Sequence, residues 1–152
     1  MDKSIGLFFG SFNPIHIGHM VIANWFVEYT DLDRVWFVVS PQNPFKEKKS
    51  LLADHHRLAL VRQAIEDDPR FWVTDIEFKM PQPSYTIDTL TYLQEKYPDH
   101  NFTLLAGSDQ LPNFDKWKNP EQILKLYRMF VYARPGFKGS KYDSHPSVRI
   151  FD

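Results

Sequence analysis

The sequence contains no cysteine, which excludes disulfide bonds and any metal site that depends on thiolate ligands. It also has no apolar run long enough to cross a bilayer, and its first residues do not have the pattern of a signal peptide. The formal net charge is only −1, so the chain lacks the overall basic field that marks nucleic-acid-binding proteins. We therefore expect a cytoplasmic protein with no nucleic-acid or membrane partner.

Aromatic residues, in contrast, are plentiful and make up 16% of the chain. We expect part of that surplus to line a site that stacks flat rings. The length of 152 residues fits one domain, residues 1–152, with a single substantial core. Self-association into a homo-oligomer is left open by the sequence.

Short apolar runs alternate with segments of helical periodicity along the whole chain. The predicted strands are residues 5–9, 35–39, 71–76, 101–106, 129–133 and 147–151. The predicted helices are residues 17–29, 55–66, 86–97 and 120–126, with a short helical piece through residue 114. Asp54 is the expected cap of the second helix, and Ser84 or Thr86 that of the third. This alternation predicts an α/β fold: a Rossmann-like, doubly wound, mainly parallel sheet with helices on both faces.

Two histidines, His16 and His19, lie where the first strand gives way to the first helix. Gly10 and Ser11 allow the backbone to approach a bound group closely at the same junction. A helix N-terminus carries unpaired N–H groups and partial positive charge, so this position favours an anion, most simply a phosphate chain. The alternatives are a pair of core or surface histidines, or a metal site. A zinc site is disfavoured because no third ligand lies nearby in the sequence.

Ligands of doubly wound sheets bind beyond the carboxyl ends of the strands. The junction just described follows the first strand, and residues 41–46 follow the second. Residues 107–109 follow the fourth strand, and Arg134 follows the fifth. We therefore expect these segments to form a single site. Lys46 is placed to close over a phosphate chain, whereas Lys48 and Lys49 fit a solvated face.

The pattern G-x-F-x-P-x-H-x-G-H in residues 10–19 resembles the signature of the nucleotidyltransferase superfamily. Residues 16–19, His-Ile-Gly-His, are also similar to the motif of class I aminoacyl-tRNA synthetases. Both resemblances imply that ATP binds with its phosphates over the histidines. The residues implied to bind ATP are Gly10, Ser11, Phe12, His16, Gly18, His19, Gly107 and Asp109.

Residues 84–90, S-Y-T-I-D-T-L, resemble the motif of one branch of that superfamily, the nicotinate mononucleotide adenylyltransferases. Further matches are Gly-Ser-Asp at 107–109, Trp117 and Arg-Pro-Gly at 134–136, so the resemblance covers nearly the whole chain. It implies that the substrate is bound by Ser84, Tyr85, Thr86, Trp117 and Arg134.

The chemistry of these residue types is consistent with such roles. Thr86, at a helix N-terminus, can donate hydrogen bonds to a pyridine carboxylate, and Trp117 can stack on the pyridine ring. Asp109 suits ribose hydroxyls or a water molecule on Mg²⁺. Taken singly, a helix cap and a core tryptophan would be the simpler explanations.

The sequence departs from the family pattern in two places. The family usually has a histidine before the loop lysine, where this chain has Phe45 before Lys46. A later family segment, I-S-S-T-x-I-R, whose serine and arginine bind the ATP phosphates, has no match up to Asp152. We expect the chain to be a fragment that lacks this C-terminal segment.

The resemblance implies a transferase of NAD biosynthesis that moves AMP from ATP to nicotinate mononucleotide, giving nicotinate adenine dinucleotide and pyrophosphate. ATP is then a substrate, Mg²⁺ its cofactor, and His16, His19 and Lys46 carry the catalysis. No protein nucleophile is needed, because the phosphate of the acceptor attacks the α-phosphorus directly. The alternatives are a pantetheine-phosphate adenylyltransferase and a non-catalytic ATP-binding module.

Overall fold

The computed structural model describes residues 3–41, 53–137 and 139–151, and strands alternate with helices along them. The strands are β1 Ser4–Gly10, β2 Arg34–Val39, β3 Phe71–Thr74, β4 Asn101–Gly107, β5 Arg128–Tyr132 and β6 Val148–Phe151. The helices are α1 Ile17–Tyr29, α2 Asp54–Ile65, α3 Thr86–Lys96 and α4 Pro120–Leu126. Two 3₁₀ segments span Ile76–Lys79 and Ser108–Lys116. None of the helices in these ranges has the length and apolarity needed to cross a membrane.

The six strands form one sheet in the order β3-β2-β1-β4-β5-β6, and each neighbouring pair is parallel. A parallel strand needs a long crossover to reach its neighbour, which is why a helix or a long loop separates consecutive strands. The strand order reverses between β1 and β4. This is the predicted doubly wound topology, and the sixth strand that the sequence suggested is present.

Alternate residues of each strand feed two separate apolar clusters, one on each face of the sheet. On β2, Trp36 and Val38 join the cluster that contains α3 and α4, whereas Phe37 faces the cluster that contains α1 and α2. A fully buried aromatic such as Phe37 stabilises the fold by about 2 kcal/mol. The prediction of helices on both faces is therefore confirmed.

The placement of the helices leaves a crevice at the carboxyl edge of the sheet. The chain leaves β1 toward α1 on one face and leaves β4 toward α4 on the other, so the connections diverge beyond Gly10 and Gly107. A crevice at the carboxyl edge, at the point where the strand order reverses, is the usual ligand site of such sheets.

Three local predictions are wrong. The third strand ends at Thr74 rather than at residue 76, because the chain turns into a 3₁₀ segment that buries Glu77. Asp54 is the first residue of α2 rather than its cap, and its carboxylate pairs with Arg57 instead. Tyr85 occupies the cap position of α3, and neither Ser84 nor Thr86 caps that helix through its side chain.

Candidate active site

His16 and His19 hold each other at the N-terminus of α1. His16 is the cap residue, and its Nδ1 accepts the backbone N–H of Gly18 at 3.0 Å. In return, Nδ1 of His19 accepts the backbone N–H of His16 at 3.0 Å. The two rings stack with their centroids 3.8 Å apart. Because each Nδ1 is an acceptor, each neutral imidazole carries its proton on Nε2, which leaves two N–H donors for a ligand.

His19 is the more buried of the pair, and its ring packs edge-on against Phe12 with a centroid distance of 5.0 Å. Burial, followed by the nearby His16 and Arg134, lowers the pKa of His19 from 6.5 to about 4. In the ligand-free protein at pH 7 His19 is therefore mostly neutral, and its Nε2–H is a hydrogen-bond donor. A bound phosphate would favour the protonated form, because an opposite charge raises a histidine pKa.

Phe12, which was predicted to bind ATP, lies beneath the histidines with only 2% of its surface exposed. Its backbone is left-handed, with φ of 48°, and this conformation turns its ring inward onto Phe8 and Phe37. The adjacent Ser11 is exposed. The side chain of Phe12 thus packs against the His19 ring and supports it. A ligand at the surface of this loop can contact residues next to Phe12, such as Ser11, but not the Phe12 ring.

Gly18 is required by the close approach of the His16 ring. A Cβ atom on Gly18 would lie 2.8 Å from Cε1 and 3.0 Å from Nδ1 of His16, closer than such atoms can pack. Any other residue would push the ring away and break the hydrogen bond that orients it. The small residue in the H-x-G-H pattern therefore has a steric cause.

The second wall of the crevice is formed by residues after β4 and β5. Nη1 of Arg134 lies 3.8 Å from Oδ1 of Asp109, and both side chains are largely exposed. The backbone N–H of Arg134 donates to the buried hydroxyl of Ser108 at 2.8 Å, which fixes the two segments together. Arg134 is close enough to lower the pKa of His19, so the cation predicted to bind substrate also acts on this histidine.

A cavity of about 290 Å³ adjoins this crevice beside Gly10. Its lining includes Thr86 and Trp117, which the sequence predicted to contact one substrate, together with Ser84. Trp117 packs on Phe114 at a centroid distance of 4.8 Å and remains partly exposed. The N-terminus of α3 meets this cavity without a side-chain cap, so its first N–H groups are available to an anion.

The Tyr85 side chain lies elsewhere. Its ring faces a separate groove of about 550 Å³ along α3, where the Lys118 ammonium sits 5.2 Å from the ring centroid. Lys118 also pairs with Asp88 at 2.9 Å. This groove is larger than the cavity beside Gly10, but its lining includes no residue from the carboxyl ends of β1 and β2. The smaller cavity is lined by Gly10, which ends β1, and by Ser40, which follows β2, so we assign the chemistry to it.

Glu77 is a buried acid that sequence reasoning missed. It lines the cavity floor with 4% of its surface exposed, and its carboxylate accepts hydrogen bonds from Thr89 at 2.7 Å and Ser84 at 3.3 Å. Burial raises the pKa of Glu77, and the hydroxyl hydrogen bonds oppose that rise. No periodic pattern in the sequence indicates a buried acid in this loop.

Arg57 was also missed, although it occupies an apolar-face position of α2 next to Leu58. Its side chain is fully buried. Nη1 donates to the carbonyl oxygens of Ser11 and Ser40, at 2.5 and 2.8 Å. Arg57 thereby ties the loop after β1 to the end of β2. A charged residue on the stripe with Leu58, Val61 and Ile65 was the available sequence signal.

Lys46, and Phe45 before it, lie outside the described residues. Among residues 3–41, 53–137 and 139–151, no three His, Asp or Glu side chains are grouped closely enough to hold a metal ion by themselves. A magnesium ion that is held mainly by phosphates needs only one or two carboxylates, and the exposed Asp109 beside the crevice fits that requirement.

Comparison with known proteins agrees with this geometry. Residues 7–150 match the family described as cytidylyltransferase-like. A probable nicotinate-nucleotide adenylyltransferase of Cytophaga hutchinsonii is 56% identical over 146 residues, which are 96% of this chain and 76% of that protein. A relative of the same name from Bacteroides fragilis is 50% identical over 147 residues, covering 97% of this chain and 73% of that protein.

A solved structure shares the fold. The nicotinic acid mononucleotide adenylyltransferase of Plasmodium falciparum, complexed with NaAD, superposes with a TM-score of 0.81 at 20% identity and covers 98% of this chain and 74% of that one. The matched family and the identity to curated relatives over nearly the whole chain give the assignment. The chain belongs to the cytidylyltransferase-like family and, within it, to the nicotinate-nucleotide adenylyltransferases.

Proposed function

We propose that this protein transfers AMP from ATP to nicotinate mononucleotide and releases pyrophosphate. The observation that carries the proposal is the stacked pair of His16 and His19 at the start of α1, together with a cavity lined by Gly10, Thr86 and Trp117 at the carboxyl end of β1. Relatives that are 44–56% identical over most of the chain are named for this activity. The product, nicotinate adenine dinucleotide, is an intermediate of NAD biosynthesis.

In the reaction, a phosphate oxygen of nicotinate mononucleotide attacks the α-phosphorus of ATP, and the bond to the pyrophosphate oxygen breaks. The protein positions the two substrates and stabilises the charge that develops. The Nε2–H groups of His16 and His19 are placed to donate to the phosphate oxygens. Arg134 adds a full positive charge close to His19.

The acceptor is proposed to lie in the cavity, with its ring against Trp117 and its carboxylate at the N-terminus of α3. The ring and the carboxylate would together fix the orientation of the attacking phosphate. Asp109 would hold Mg²⁺ together with the ATP phosphates, and the bound ion would neutralise charge on them. Gly107 and Asp109 are also the proposed contacts of the ATP ribose.

The experiment is a pyrophosphate-release assay with ATP and a panel of acceptors. The panel contains nicotinate mononucleotide, nicotinamide mononucleotide, pantetheine phosphate and a blank. Release with the first acceptor at the highest kcat/KM is expected. Release with pantetheine phosphate alone would replace the proposal by the related adenylyltransferase, and no release with any acceptor would favour a nucleotide-binding module.

Three predictions from the sequence remain to be tested beside it. Lys46 is proposed to close over the ATP phosphates, and Lys46→Ala should lower kcat. Cytoplasmic location and a homo-oligomeric state are tested by fractionation and by light scattering.

A further inference from the structure

The N-terminus of α3 lacks the cap that its sequence offers. Ser84 stands two residues before Thr86, which is the spacing at which a serine hydroxyl accepts a backbone N–H in an ST turn. The structure shows no such bond at the start of α3. The Ser84 hydroxyl, which could accept the Thr86 N–H, therefore does not cap this helix.

Glu77 accounts for this absence. The Ser84 hydroxyl donates to Oε1 of Glu77 at 3.3 Å, and the Thr89 hydroxyl donates to Oε2 at 2.7 Å. The acid is itself held in place, because the Gln82 amide donates to the Glu77 carbonyl at 2.8 Å and to the Met80 carbonyl at 3.0 Å. The carboxylate therefore holds the Ser84 hydroxyl at a position from which it makes no capping hydrogen bond to α3.

We propose that Glu77 is a positioning residue that keeps the N-terminus of α3 uncapped by holding the Ser84 hydroxyl, so that the Thr86 and Ile87 N–H groups stay free for the substrate carboxylate. Without Glu77, the released hydroxyl accepts the Thr86 N–H and competes with the ligand. The inference rests on the proposed function, which places a carboxylate at this helix end.

The test is a suppressor experiment. Glu77→Met fills similar space but accepts no hydrogen bond from a hydroxyl, and it should raise the KM for nicotinate mononucleotide about fivefold, which is the value of one serine cap. Ser40 is also a hydrogen-bond partner of the Glu77 carboxylate. The KM for ATP should therefore rise less than the KM for nicotinate mononucleotide, and kcat should change by less than about twofold, because the histidine pair does not contact Glu77. Adding Ser84→Ala to this variant should lower the raised KM again, since the competing hydroxyl is gone. Ser84→Ala alone is the control that measures the direct substrate contact predicted for this residue from the sequence.

A double variant with an unchanged or higher KM than Glu77→Met would overturn the proposal. Glu77→Gln is the conservative control, because its amide oxygen still accepts the Ser84 hydroxyl, and it should stay within about twofold of the native KM. If Glu77→Gln raises the KM for nicotinate mononucleotide as much as Glu77→Met does, the charge of Glu77, and not its hydrogen bond with Ser84, causes the effect, and the proposal is wrong. Turnover of nicotinate mononucleotide by the native protein is measured first, so failure of the proposed function is distinguished from failure of this inference.

A second measurement needs no variant and covers the case in which Glu77→Met does not fold. Amide exchange of Thr86 and Ile87 in the native protein should be fast and should slow when nicotinate mononucleotide is added. Unchanged exchange at saturating ligand would overturn the proposal. In a folded Glu77→Met protein, the Thr86 amide should already be slowed without ligand.

Discussion

His16 and His19 each accept a backbone N–H through Nδ1, and their rings stack 3.8 Å apart as a reciprocal cap of α1. The usual pair for such a cap is a serine or threonine with a glutamate or glutamine. Two imidazoles do the same for the backbone, and the cap leaves their Nε2–H groups unused. The same two side chains therefore cap α1 and supply the donors for a ligand. Replacing either ring should affect both the stability of the helix start and the activity.

Replacement of His19 should affect turnover more than binding. Loss of one donor to the transition state typically costs about 3 kcal/mol, so His19→Ala should lower kcat by about a hundredfold or more. The KM for ATP should change far less. His56→Ala, which removes an exposed histidine of α2, is the matched control and should keep native kcat. Near-normal turnover of His19→Ala would remove His19 from the mechanism.

Gly18→Ala should damage the site while the protein stays folded. The added methyl group would have to displace the His16 ring by close contact, which misaligns its donor. A displacement of this kind costs on the order of tenfold to a hundredfold in kcat. Val21→Ala, one turn further along the same helix and 61% exposed, controls for a general effect on α1. Native kcat in Gly18→Ala would show that the ring position is not critical.

The stability of the protein should depend on the titration of His19. Its pKa is about 4 in the folded protein, against about 6.5 in an unfolded chain. Between these values the unfolded chain binds a proton that the folded protein excludes, so stability falls as pH falls from about 6.5 to about 4. Ring signals followed by NMR should give a midpoint of about 4, and His19→Gln should flatten this part of the stability profile. A midpoint close to 6.5 would contradict the burial of His19.

Selectivity for the acid substrate should be strong. N–H groups at the start of α3 can donate to a carboxylate, whereas an amide presents its own donors to them and leaves groups unpaired. We expect kcat/KM to favour nicotinate over nicotinamide mononucleotide by on the order of a hundredfold or more. Trp117→Ala should lower both values while leaving their ratio in place, because stacking does not distinguish the two rings. Equal kcat/KM for the native protein would exclude this position for the carboxylate.

Arg57→Met should destabilise the protein and weaken ATP binding. The variant loses the charged hydrogen bonds to the Ser11 and Ser40 carbonyls, a cost of about 3 kcal/mol in the free energy of unfolding. Urea denaturation measures this cost, and the KM for ATP should rise because the loop after β1 is released. Arg62→Met, on the exposed side of α2, should have little effect on either. Equal stability of the two variants would show that the Arg57 hydrogen bonds to Ser11 and Ser40 do not stabilise the protein.

The sequence predicted the sheet and the histidine pair because both follow from local patterns. Short apolar runs specify buried strands, and a G-x-F-x-P-x-H-x-G-H stretch between a strand and a helix has few other interpretations. Glu77 and the direction of the Tyr85 ring could not be predicted in this way. Each depends on which residues from distant parts of the chain meet at that point.

The errors at helix ends have a related cause. Asp54 and Ser84 are both good capping residues by type, and local propensity favours that use. In the folded protein Asp54 pairs with Arg57, and Ser84 hydrogen-bonds to Glu77. Arg57 and Glu77 are both buried, and a buried polar group that loses its hydrogen-bond partner costs more than a helix end that water can solvate.

The pairing of β1 with β4 also bears on how the chain reaches its native state. Ser4 lies beside Asn101, so the central strand acquires one of its two neighbours only after about a hundred residues have been made. Contacts between such distant residues slow folding, because the intervening loop must close before they form. On the ribosome, β1, β2 and β3 can associate first, and β1 then presents an unpaired apolar edge until β4 emerges. The β1 edge next to the crevice, where the strand order reverses, is thus also the edge through which an emerging chain is most prone to aggregate.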